Sequence, residues 1–295
     1  MNNPKDVNFP IKYDPTYKVV TANDLIRGQQ KMTLREAQMF AIAISQVVKE
    51  DKDLKTYTTT VPELASFMGI DENSLYRDLE SICSALLRRI VKLPKIGNDG
   101  RRNRKNGWTI FHLLNSATYE KGILTLRLSD DIKPFVIDLN KNYSQPLLGT
   151  LMSFRSYYTM RLYQYLLSEY KQYGKDEWSF SCEELRELFQ TYVKDEIGNI
   201  LKERYALNRD LLRYTIIPAL SELHRSDFAF IYNYEELTEH KAGARGRPSI
   251  AGVRFGVIFF EDRARKEIAL ARMDLIEAGS QQTIIPFGEE KPAKK

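Results

Sequence analysis

Arginine and lysine gather in two segments of this chain. From Arg88 to Lys105 the basic residues are Arg88, Arg89, Lys92, Lys95, Arg101, Arg102, Arg104 and Lys105, against a single acid, Asp99. From Lys241 to Arg254 they are Lys241, Arg245, Arg247 and Arg254, with no acid at all. Such segments can neutralise a line of phosphates and release its counterions. A Gly- and Asn-rich loop carrying Arg can track a phosphate backbone or enter a minor groove. For either loop alone a solvated surface loop is an equal alternative; two in equivalent positions favour contact with DNA. A third set lies between them: Lys202, Arg204, Tyr205, Asn208, Arg209, Arg213 and Tyr214. Arginine binds guanine O6 and N7 together, and asparagine binds adenine N6 and N7. Asn208 and Arg209 are therefore the expected base readers. A spacing of four places Tyr205, Arg209 and Arg213 on one helical face.

Other chemistries find less support. His112, His224 and His240 are the only histidines, and no two share metal-ligand spacing. No metal site, zinc tetrad or cofactor is expected. Asp130 and Asp131 follow Ser129, where a helix N-terminus favours acids in any case. There is no phosphate-binding G-x-x-x-x-G-K-[ST] motif. Seventeen tyrosines leave a strand-nicking nucleophile conceivable. Nicking would also need a metal to polarise the phosphate, and the residues for one are missing. Cys83 and Cys182 both sit in apolar helical patterns and read as buried thiols, suited to a reducing compartment.

Charged residues make up 28% and apolar residues 43%, so the chain can build real cores. The net charge of +5 is mild, and its distribution carries the information. No secretory signal is visible at the N-terminus and no apolar run is long enough to cross a membrane. A cytoplasmic protein is expected.

The elements that must position these residues occur twice in the same order. In the first half, Thr33 and Glu36 form a capping box before a long apolar helix. KTYTTTV reads as a strand, and VPELASFMGI as a short helix started by Pro62 and stopped by Gly69. Asp71 caps a further helix. The basic loop follows, then strands WTIFHLL and ILTLRL. In the second half, a long helix starting near Ser153 precedes the strand EWSF. Ser181 and Glu184 cap a short helix, and a long helical region, ILKERYALNRDLLRYTIIPALSEL, follows with Pro218 as a kink. Two strands around the second basic loop end the series. The short helices are offset by about 120 residues, close to the common size of one domain.

Helix, strand, helix, helix, hairpin is the order of a winged helix. The expected fold is therefore α+β, mostly helical, with two tandem winged-helix domains related by an internal pseudo-repeat. The expected domains are an arm over residues 1–20, a first winged helix over 21–140, a second over 141–279 and a tail over 280–295. The second domain is the expected main DNA reader. In the first, the equivalent helix offers Asn73, Ser74 and Arg77 beside Asp78 and Glu80. It reads as a poorer DNA contact supplemented by its wing, and as a possible dimer surface.

The run NDLIRGQQKMTLREAQMFAIAISQV, with VPELASFMGI and LYRDLESICSALLRRIVKL, resembles the first winged helix of iteron-binding plasmid replication initiators. SFRSYYTMRLYQYLLSEY, EELRELF and YTIIPALSELHRSDFAFIYNYEEL resemble their second. The signature around Ser156, Tyr157, Arg161, Leu162 and Tyr163 is specific. So is Ile217, Pro218, Ala219, Leu220, Glu222 and Leu223, which accounts for the proline within the helix. The resemblance implies a protein that binds direct repeats at a plasmid origin as a monomer. It implies help in melting an adjacent AT-rich tract, recruitment of the host initiator and replicative helicase, dimerisation through the first domain, and repression of its own gene. It implies DNA binding without cutting. A repressor acting only at an operator is the alternative reading, and a nicking enzyme a third. Arg102→Ala is expected to weaken binding to every duplex alike and to lower the salt slope by about one. Titration at several salt concentrations checks this, and an unchanged slope would remove the loop from the interface.

Overall fold

Three capping boxes frame the helices. Thr33 with Glu36, Thr60 with Glu63, and Ser181 with Glu184 each exchange side-chain and backbone hydrogen bonds across a first turn. The second of these was not expected from sequence. The computed structural model describes residues 8–94, 107–137, 139–194, 200–240 and 248–277. They form two units, divided between Gly174 and Lys175.

The first unit opens with β1 (Asn8–Pro10), β2 (Thr21–Ala22), α1 (Asn23–Arg27) and α2 (Leu34–Ser45). β3 (Thr56–Thr60), α3 (Val61–Met68) and α4 (Glu72–Arg88) follow. As expected, Gly69 ends α3 in the left-handed region at φ 62°, and Asp71 accepts from the Ser74 N–H to cap α4. Then come β4 (Ile90–Pro94), β5 (Trp108–His112), β6 (Leu114–Glu120) and β7 (Ile123–Leu128). β4 and β5 pair antiparallel around the basic loop, so that loop sits within a hairpin. β6 and β7 form a second hairpin inside a four-stranded sheet of order β1-β3-β7-β6. Sequence reading had merged the two hairpins into one.

Of the expected arm, residues 8–20 are described, and Asn8–Pro10 join this sheet. β1 pairs parallel with β3, and Ile11 and Val19 are buried. Around the expected domain junction a 3-10 turn spans Asp130–Phe135, and β8 (Tyr143–Ser144) pairs with β2. Two helices, α5 (Leu148–Ser153) and α6 (Tyr157–Tyr173), replace the single one expected from Ser153, and Ser156 caps α6. α6 packs on α1 and α2, which puts the unit boundary at Gly174 rather than near residue 140. Its buried Arg161 donates to the carbonyls of Ile26 and, at 2.8 Å, Gly28, closing the irregular end of α1. Burial lowers the pKa of that guanidinium.

The second unit begins with β9 (Glu177–Ser181) and α7 (Cys182–Phe189). β10 (Tyr192–Lys194) and β11 (Ile200–Glu203) form an antiparallel hairpin that sequence reading missed. A continuous helical run follows: α8 (Asn208–Leu211), a π-helical turn (Leu212–Ile216) and α9 (Ile217–Arg225). The long strands β12 (Ala229–Glu239) and β13 (Ser249–Phe259) form the wing, with β9 added to a sheet of order β12-β13-β9. Gly256 admits the Tyr232 ring, since a Cβ there would lie 2.2 Å from it. Trp178, Phe180 and Phe255 stack in the core. α10 (Arg263–Glu277) carries Lys266, whose ammonium donates to the carbonyls of His224, Ser226 and Ala229. Burial, and next the nearby Lys266 charge, depress the pKa of His224. Cys83 and Cys182 are free and buried, and burial pushes the Cys83 thiol up to about 11.

Arg89 at the end of α4 donates to Glu36 from Nε at 2.7 Å and from its terminal nitrogen at 3.0 Å. Glu36 also closes the α2 capping box, and its side chain is 3% exposed. Glu36→Ala is therefore expected to cost about 2–4 kcal/mol, discounted for the partial exposure of Arg89. Thr33→Ala, which removes a cap alone, should cost about 1 kcal/mol. Urea unfolding of both variants checks the difference; equal losses would mean that the ion pair adds nothing.

Candidate nucleic-acid interface

The surface of interest lies where α7 meets the turn into α8. Arg186 of α7 is 7% exposed. Its apolar neighbours on the same stripe are Cys182, Leu185 and Phe189, all buried. The guanidinium pairs with Glu203 at the end of β11. It also donates to the carbonyls of Tyr205 and Ala206, each at 3.1 Å, and to Asn208 Oδ1 at 2.9 Å. Asn208 Nδ2 in turn donates to the Ile250 carbonyl of β13 at 2.6 Å. One buried side chain thus holds residues 203–208 against α7, and the Asn208 amide ties the same turn to the wing.

Asn208 was expected to read a base. Its amide oxygen accepts from Arg186 and its amide nitrogen donates to the Ile250 carbonyl, so both ends of the side chain are engaged within the protein. Lys202 and Arg204 were placed on a helix; Lys202 lies in β11, Arg204 in the turn after it. Tyr205 also precedes the helix, so it shares no helical face with Arg209 and Arg213. Those two residues are on the helical run and exposed. Among the described residues neither Arg204, Arg209 nor Arg213 has an ion-pair partner.

The helical run keeps them outward by an irregularity. Pro218 has no N–H and its ring crowds the carbonyl four residues back. The π-helical turn at Leu212–Ile216 absorbs this. Buried positions recur at Leu211 and Leu212, Thr215 and Ile216, Ala219 and Leu220, then Leu223. That period is close to four, wider than the ~3.6 of an α-helix, and Arg209 and Arg213 stay on the open side.

Two rings join this surface. Tyr205 and Tyr214 stack with centroids 5.8 Å apart and planes at 21°. The Arg204 guanidinium lies over Tyr205 and that of Arg213 over Tyr214, each 5.5 Å from the ring centre. Leu207, at the N-cap of α8, is 67% exposed.

The first unit presents a weaker counterpart. Asn73 and Arg77 are exposed on α4 and Ser74 is half-buried. Arg77 pairs with Asp78 at 3.0 Å, both side chains being well exposed. A groove of about 530 Å³ runs between α4 and the β6–β7 hairpin, lined by Tyr76, Leu79, Cys83, Leu87 and Tyr119 among others. Lys95, Arg101, Arg102, Arg104, Lys105, Lys241, Arg245 and Arg247 lie outside the described residues. Arg254 is described, and it pairs with Glu235 across the wing at 3.7 Å. Among the described residues, no three His, Cys, Asp or Glu side chains converge to hold a metal. No helix among them is long and apolar enough to cross a membrane.

Sequence reasoning passed over Arg186. The available signal was a charge on the apolar stripe of α7, where a buried arginine must find acceptors.

The fold is α+β and of the winged-helix type. It superposes on a solved structure described as the crystal structure of Pi initiator protein in complex with iteron DNA, with a TM-score of 0.61 over 84% of this chain and 100% of that one. Identity there is 19%, so this likeness speaks for the fold alone. The family described as Initiator Replication protein, WH1 matches residues 18–167, half of the chain, and the chain belongs to that family. It is also 25% identical over 158 residues to a "Replication initiation protein" of Escherichia coli. That match covers 52% of this chain and 48% of the relative, so the chain spans about half of the relative's length.

Arg186→Ala is expected to lower the free energy of unfolding by about 3–5 kcal/mol, because it strands Glu203 without its partner. Arg186→Lys should recover little, since a compact ammonium cannot replace the planar fork. Urea unfolding of the full chain measures both, and a Lys variant as stable as the wild type would remove the fork from the explanation.

Proposed function

We propose that this chain initiates plasmid DNA replication by binding direct repeats, or iterons, at the origin as sequence-specific double-stranded DNA sites. The observation that carries the reading is the exposed cluster Arg204, Arg209 and Arg213, unpaired among the described residues and held on a braced turn and helix. Membership of the initiator family supports it, as does likeness to a protein solved with iteron DNA. The second unit is the main reader. Arg209 and Arg213 enter the major groove from the helix, where arginine recognises guanine edges. Lys202 and Arg204 approach from the preceding strand and turn. Asn73, Ser74 and Arg77 give a weaker contact from the first unit. The basic segments holding Lys95, Arg101, Arg102, Arg104 and Lys105, and Lys241, Arg245 and Arg247, meet the phosphate backbone from the two hairpins.

The wider role belongs to the same proposal. The protein acts in the cytoplasm, helps open the origin, recruits the host initiator and replicative helicase, and represses its own gene. It binds DNA without catalysing cleavage. It self-associates through the first unit, a reading supported there by Tyr76 and Tyr119, 41% and 48% exposed beside the α4 groove.

Footprinting of the purified chain on its plasmid's origin, with oligomeric state followed in parallel, tests the proposal. Evenly spaced direct repeats, each protected by one monomer, are expected. Protection of a single inverted repeat by a dimer, and nothing else, would leave an operator-bound repressor. Metal-dependent nicking of supercoiled origin DNA, or a covalent tyrosyl adduct, would overturn the non-enzymatic reading. Arg209→Ala should cost roughly 1–3 kcal/mol of specific binding and relax preference at one base position. Equal loss on all sequences would make Arg209 a phosphate contact.

A further inference from the structure

On the surface assigned above to DNA reading two arginines are stacked on rings, one in the turn and one on the helix. Adjacent helical residues do not face each other, yet the Arg213 guanidinium folds back over the ring of its neighbour Tyr214. Arg204 does the same over Tyr205. The two rings then stack on each other. A guanidinium thus lies over each ring of one stacked pair, which spans the turn and the helix. The base of this cluster is fixed from below, since Arg186 binds the Tyr205 carbonyl and both Glu203 and Asn208 around it. Tyr214 is 50% exposed, and Arg204 and Arg213 are exposed. Such a cluster contributes little to a core and leaves both charged heads facing outward.

We propose that Tyr205 and Tyr214 are specificity-determining positioning residues, holding Arg204 and Arg213 in fixed orientations for bidentate contact with DNA. The inference rests on the functional reading above and deepens it. A free arginine freezes several torsions when it binds a base edge, at a cost in entropy for each immobilised side chain. A guanidinium already parked on a ring by a cation–π contact has given up part of that freedom before DNA arrives. The gain falls on contacts that need one geometry, the forked contact with guanine above all. A phosphate contact tolerates many geometries and gains less. The pair should therefore raise discrimination between sites far more than total electrostatic attraction.

The experiment compares the full-length wild type with Tyr214→Ala, Tyr214→Phe and Tyr205→Ala. Each is titrated onto a duplex of the origin repeat and onto a scrambled duplex of equal length, at several salt concentrations. Circular dichroism and urea unfolding verify the fold of each variant. Tyr214→Ala is expected to lose about tenfold on the repeat, equivalent to ~1.4 kcal/mol, with affinity for the scrambled duplex and the salt slope within twofold of wild type. Tyr205→Ala should behave alike, and Tyr214→Phe should retain wild-type discrimination because its ring remains. Preserved discrimination in folded Tyr214→Ala would overturn the inference. So would a parallel loss on both duplexes. A loss in Tyr214→Phe equal to that in Tyr214→Ala would overturn it in favour of a direct contact by the phenol hydroxyl. A wild type that does not prefer its repeats would overturn the functional reading itself, a result separable from the others because it precedes any substitution.

Discussion

The buried guanidinium of Arg186 is the constraint on which the second unit's exposed face depends. Removing an arginine from water is costly, and the cost is offset only when its donors are well placed against acceptors. Arg186 meets a carboxylate, two main-chain carbonyls and an amide oxygen, all within one short turn. A turn between a strand and a helix has backbone carbonyls with no ladder to satisfy them. Placing a forked cation beneath that turn answers both needs together, and it holds the turn rigid. The first unit uses the same chemistry. Arg161 binds the carbonyls closing α1, and Arg89 binds Glu36 at the start of α2. In all three places arginine stands where regular hydrogen bonding ends and a fixed geometry is still required.

That use divides the arginines into two populations that composition cannot separate. Arg89, Arg161 and Arg186 are committed inside the protein. Arg204, Arg209 and Arg213 have no ion-pair partner among the described residues. The net charge of +5 counts them alike. The first group supports the second: the turn anchored by Arg186 carries Arg204 and leads into the helix that displays Arg209 and Arg213. A mobile presentation of the same charges would still attract DNA at long range. It would read sequence poorly, because base recognition depends on geometry that charge alone does not set.

What could be read from the sequence follows the physics of each element. The capping boxes at Thr33 and Ser181, the cap at Asp71 and the stop at Gly69 were legible because each is local and involves a few side chains at fixed spacing. The wing strands β12 and β13 were legible from alternation along long runs. The β10–β11 hairpin was not. ILKE sits next to residues with good helix propensity, and its strand identity comes from pairing with Tyr192–Lys194. The division at Gly174 was not legible: α6 reads in the chain as the opening of a second repeat, whereas its packing on α1 and α2 is a tertiary fact. Asn208 was chosen on its capacity to read adenine, and nothing local in the chain announces that Arg186 and Ile250 already hold its amide.

The irregular helix completes the argument. A proline within this helical run looks like a defect, since it removes a hydrogen bond and pushes on the preceding turn. Here a π-helical turn spans Leu212–Ile216 just before it, and the buried positions run on through it, from Leu211 and Thr215 to Ala219 and Leu223. With a strict α-helical period the same four positions would drift by roughly 40° at each step, given ~3.6 residues per turn. The single π-helical turn offsets one such step, and so sets how Arg209, which precedes it, is phased against the buried residues of α9. Pro218 therefore acts at a distance from Arg209, while the turn before it carries Arg213 and Tyr214 themselves. The proline and the turn set the phase of the helix, and the phase decides which side chains Arg186 and the stacked tyrosines have to support.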